Sequence, residues 1–167
     1  GIRDTSVTGV QTCALPISDE PRQIHGINLL PLTTSSTYLA TDPEYIIKKL
    51  NALEREMEIY SERGKFAKPK DIWQDLFAKY KALADPKAGI ESWDEYGSFE
   101  FGDTRSHTLH WLSYLNEVGT PELSISADTN LYAVFKNEDG MKTYLIFNHS
   151  DNEIDRKSTR LNSSHRC

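Results

Sequence analysis

The residue types able to do chemistry cluster in three places. In "RQIHGINLLPLTTSSTYL", His25, Gly26 and Asn28 precede a proline-bearing turn and an apolar anchor. A His followed by Gly can sit where a ligand approaches the backbone closely, its ring exchanging a hydrogen bond with a hydroxyl. The simpler role for such a ring is to tie down a loop. In "HTLH", His107 and His110 lie three apart on an expected helix and can share a face. A metal site needs further ligands, and neither an HExxH pattern nor a cysteine pair supplies them, so no metal and no cofactor is expected. The third place is "ESWDEYGSFEFGD", where Trp93 and Tyr96 stand among acids in an expected connecting loop. Aromatic faces in such a loop are platforms for sugar rings, whereas Trp73 and Trp111 fall on or beside core stripes and are assigned to packing.

Glu91, Asp94, Glu95, Glu100 and Asp103 in or beside that loop raise the carboxyl pair of a glycosidase. Inverting chemistry needs two carboxyls roughly 6.5 to 9.5 Å apart, one protonated and one activating water. Proximity in sequence does not establish that separation, and a solvated acidic loop is the default. No GxSxG, P-loop or dinucleotide fingerprint supports hydrolase-triad or nucleotide chemistry.

Three helices must position these groups. In "TDPEYIIKKLNALEREMEIY", an Asp42 N-cap and Pro43 at the first helical position precede a stripe of Ile46, Leu50, Leu53, Met57 and Tyr60, with Gly64 as the stop. "DIWQDLFAKYKALA" puts Ile72, Leu76, Tyr80 and Leu83 on one face, widened by Trp73 and Phe77, and Asp85-Pro86 ends it. "TRSHTLHWLSYLNEVG" aligns Thr108, Leu112, Leu115 and Val118, with Trp111 beside them and Gly119 near the C-cap. After it, "LYAVF" and "YLIF" flank "KNEDGMKT", two strands joined by a Gly-containing hairpin loop. The strands are apolar almost continuously, so both faces need cover, and the three helices do not supply all of it.

The two ends read differently from the interior. Codons can be chosen for residues 7–17 whose reverse complement translates, residue for residue, as residues 155–165. Both stretches resemble one short-read sequencing adapter in its two orientations. Residues 1–18 and 155–167 are therefore expected to be adapter-derived and to make no sustained tertiary contacts. The whole chain carries 19 Lys or Arg against 25 Asp or Glu. The terminal stretches hold five of those bases and two of those acids, so the interior is more acidic than the net charge of -6. Such an interior argues against binding to a phosphate backbone, which draws affinity from Lys and Arg. Both cysteines, Cys13 and Cys167, lie in the ends, which leaves the interior no thiol for a disulfide, zinc site or nucleophile. No apolar run approaches the roughly 20 residues needed to cross a bilayer.

"IHGINLLPLTTSSTYL", "GDTRSHTLHWLSYLNEVG" and "ISADTNLYAVFKNEDGMKTYLIFN", in that order across residues 21–148, resemble the C-terminal part of glycoside hydrolase family 81. The resemblance implies an inverting endo-β-1,3-glucanase built from an N-terminal β-sandwich, a small linking domain and an α/α barrel. It makes the expected fold mainly α: late helices of a partial α/α barrel over residues 19–119, then a terminal β-hairpin segment over 120–154. The implied partners are β-1,3-glucan polysaccharide and the missing N-terminal domains of the same chain, with no nucleic acid and no membrane, in a secreted or cell-surface protein. The family's catalytic acid and base precede the "HGINLLP" block, so no catalytic role falls on a residue of this chain, which is expected to be inactive alone. His25, and after it Trp93, are the candidates for lining a glucan cleft. An α/α-barrel polysaccharide lyase and a non-catalytic interaction domain are the alternatives. The lyase would need a Tyr, His or Lys base and neutralisation of a uronate, which the acidic interior disfavours.

Overall fold

Asp42 opens the longest helix by accepting a hydrogen bond from the Tyr45 amide at 2.9 Å, with Pro43 in the first turn, where its missing N–H is no loss. The computed structural model describes residues 20–63, 73–94, 105–127, 129, 131–151 and 162–163. Before that helix comes the short α1 (Pro21–Gly26), capped by the Glu20 carboxylate, which accepts from the Arg22 and Gln23 amides. A 3-10 helix, Thr34–Thr41, follows behind a Thr33/Ser36 capping box. Then comes α2 (Pro43–Glu62), burying Ile46, Leu53, Met57 and Tyr60, with Leu50 half-buried beside them. The expected stripe is therefore observed. Its expected stop, Gly64, lies outside the described residues.

Helix α3 (Gln74–Ala82) buries Leu76 and Tyr80, and Leu83 follows at its C-cap with no exposed surface. Ile72, expected on the same face, lies outside the described residues. The chain then departs from expectation. Asp85-Pro86 does end α3, but it also starts α4 (Pro86–Asp94): the Asp85 carboxylate accepts from the Ala88 amide at 2.9 Å, and proline occupies the first turn. Part of the expected acidic loop is thus helical, and Trp93 sits in the last turn of α4, buried at 6% exposure. Gly89 explains how closely α3 and α4 approach: a Cβ there would lie 2.7 Å from the Ala82 Cβ.

Helix α5 (Arg105–Val118) buries Thr108, Trp111, Leu112 and Leu115 and packs across both α3 and α4. The Trp111 indole donates to the Lys79 carbonyl at 3.1 Å. That carbonyl is available because α3 tightens at its end, where the Leu83 amide bonds the Tyr80 oxygen. Gly119 closes α5 with φ +95°, and its bare Cα lies against the Lys136 carbonyl, where a Cβ would collide.

This close approach adds a strand that the sequence did not announce. β1 (Thr120–Pro121), β3 (Tyr132–Lys136) and β4 (Lys142–Ile146) form an antiparallel sheet in the order β1-β3-β4, with Val134 opposite Tyr144. The hairpin turn is closed by Asn137, whose side chain accepts from the Met141 amide, and by Gly140 at φ +80°. Val134 and Phe135 are buried, whereas Tyr144, Leu145, Ile146 and Phe147 are all exposed. The helices cover part of the hairpin and leave β4 open, as its near-continuous apolar sequence led one to expect. A second ladder pairs β2 (Ile125–Ser126) with β5 (Asn162–Ser163). The expectation that residues 155–167 stand clear of the rest is corrected at those two positions, where backbone pairing needs no side-chain match.

Candidate functional site

The short helix α1 presents the His25 ring from its last turn toward α2. Nε2 lies 3.0 Å from the Glu56 Oε2, joining residues 31 apart, with the His side chain 16% exposed and the Glu side chain 52%. Gly26 is buried, but what approaches its backbone is not open space for a ligand. It is the Trp73 indole, so close that a Cβ would lie 2.2 Å from Cε3. Asn28 turns back to donate to the Ile24 carbonyl at 3.1 Å, and Ser36 Oγ donates to the Pro31 carbonyl at 3.1 Å. The segment's polar groups thus mostly hold its own turn.

Between α2 and α3 runs a groove of about 660 Å³. Leu50, Met57 and Phe77 line it with apolar surface, and Glu54, Glu58 and Lys81 add charge. The Arg22 guanidinium lies 5.7 Å from the Phe77 ring centroid, in cation–π range. Sequence reasoning missed this groove because it exists only once α2 and α3 are paired. The usable signal was Ile47, which together with Leu50 carries the α2 apolar surface beyond the buried stripe. His25 is not among its lining residues.

Trp93 is packed in the core with Leu83 and Trp111, so of the two expected cleft residues only His25 keeps its ring at the surface. Glu91 is exposed on α4, while Glu95, Tyr96, Glu100 and Asp103 lie outside the described residues. His107 and His110 are both exposed on α5, each beside an aromatic one turn on: His107 against Trp111, and His110 stacked on Tyr114 with ring centroids 6.2 Å apart. Among the described residues, no three His, Cys, Asp or Glu side chains gather as metal ligands would. Among them too, no helix is long and apolar enough to cross a membrane. A hydrogen bond from the Ser124 hydroxyl holds the Glu122 carboxyl below the usual carboxylate range, whereas a general acid needs the opposite shift.

No family model matches the chain. It is 40% identical over 126 residues to a glucan endo-1,3-beta-D-glucosidase from Acetivibrio thermocellus, matching 75% of this chain and 15% of that protein. It is 36% identical over 132 residues to a protein of the same name from Thermobifida fusca, of which it covers 16%. A solved glycoside hydrolase family 81 protein from Clostridium thermocellum superposes with a TM-score of 0.64 at 37% identity, covering 78% of this chain and 17% of that one. The chain therefore spans about one sixth of the length of these relatives.

Proposed function

Because this chain is a segment of glycoside hydrolase family 81, we propose that it forms part of the helical catalytic barrel of an inverting endo-β-1,3-glucanase and is inactive when separated from the rest of that polypeptide. The observation that carries this reading is the 40% identity over 126 residues to a protein named for cleaving β-1,3-glucan. Inverting hydrolysis requires a protonated acid on one side of the scissile bond and a base holding water on the other. On this reading both groups belong to the rest of that polypeptide. The segment's contribution is therefore structural, with His25 the residue offered to a glucan hydroxyl through Nδ1. Remote contacts of that kind hold substrate, but they do not replace proton transfer at the reacting centre.

The test is reducing-end release from laminarin by the purified chain. No turnover above the buffer rate is expected. Robust hydrolysis, abolished by Glu95→Gln, Glu100→Gln or Asp103→Asn, would overturn the reading and place the catalytic carboxyls in this chain.

A further inference from the structure

We draw no further inference here: the strongest candidate, the groove between α2 and α3 lined by Leu50, Met57 and Phe77 with Glu54 and Glu58 beside them, carries nothing, because nothing in the structure shows what covers it in a chain that spans about one sixth of its relatives' length.

Discussion

The Trp73 indole lies against the backbone of Gly26, its Cε3 and Cζ3 within 2.2 and 2.7 Å of where a Cβ would stand. This contact joins α1 to the start of α3, and it fixes the turn that carries His25. Trp73 itself takes φ +58°, a left-handed conformation unusual for a bulky residue, and it does so where the chain turns into α3.

Gly26→Ala is accordingly expected to destabilise the chain by about 1–3 kcal/mol, since the ring must move or the backbone must shift. Gly140→Ala is the useful contrast. Nothing lies within 4 Å of its position, so its cost comes from φ +80° alone, about 1–2 kcal/mol. Urea midpoints measure both, and near-ultraviolet circular dichroism separates them, because only the first substitution disturbs a tryptophan.

Much of this arrangement is legible in the sequence, and the parts that are not share a cause. Helices α2 and α5 follow from apolar spacing with terminal signals at Asp42-Pro43 and Gly119, features that act within a few residues. Helix α4 was obscured because Asp85-Pro86 stops one helix and starts the next, and periodicity alone does not reveal the second role. Strand β1 has two residues, and it pairs with β3 only because Gly119 lets the backbone reach the Lys136 carbonyl. His25 was identifiable as a candidate from its neighbours Gly26 and Asn28. Its partner Glu56 was not, since that pairing depends on how α1 lies on α2. Trp93 misled for the same reason as α4: a tryptophan expected in an acidic loop is in fact in a buried helical turn.

Within α3, Lys79 and Asp75 form an ion pair at 3.1 Å with side chains only 7% and 13% exposed. Removing one member leaves the other charge buried, so Asp75→Ala is expected to cost about 3–5 kcal/mol. Replacing both, as in Asp75→Leu with Lys79→Met, should cost much less, because an apolar pair of similar volume needs no desolvation of charge. Chemical denaturation of Asp75→Leu, of Lys79→Met and of the double variant gives the coupling. Additive effects would show that the two residues do not depend on each other.

Burial pushes the Tyr80 phenol above its ordinary value of 10.0, with Tyr45 and Asp42 adding to the shift. A pKa raised on folding means that the unfolded chain ionises first. The stability tied to this neutral phenol is fully present below pH 10 and is lost as pH rises through the folded value. Tyr80→Phe should therefore flatten the alkaline limb of the stability profile while changing stability near neutrality little. Urea midpoints between pH 8 and 11 measure this, and an alkaline limb identical in both proteins would place the titration elsewhere.

The reading of the chain as a working part of a β-1,3-glucanase barrel is tested most directly by restoring it to a complete one. The 126 residues that match the Acetivibrio thermocellus relative would replace their counterpart in it, and the exchanged protein would be assayed on laminarin, with the anomeric form of the first products followed by proton NMR. Hydrolysis within about tenfold of the unexchanged protein, with the α-anomer appearing first, is the result expected on the proposal that the acid and base lie in the retained part and that this segment supplies compatible packing. A folded exchanged protein that binds laminarin yet releases no reducing ends, or one whose first product keeps the β configuration, would contradict the account.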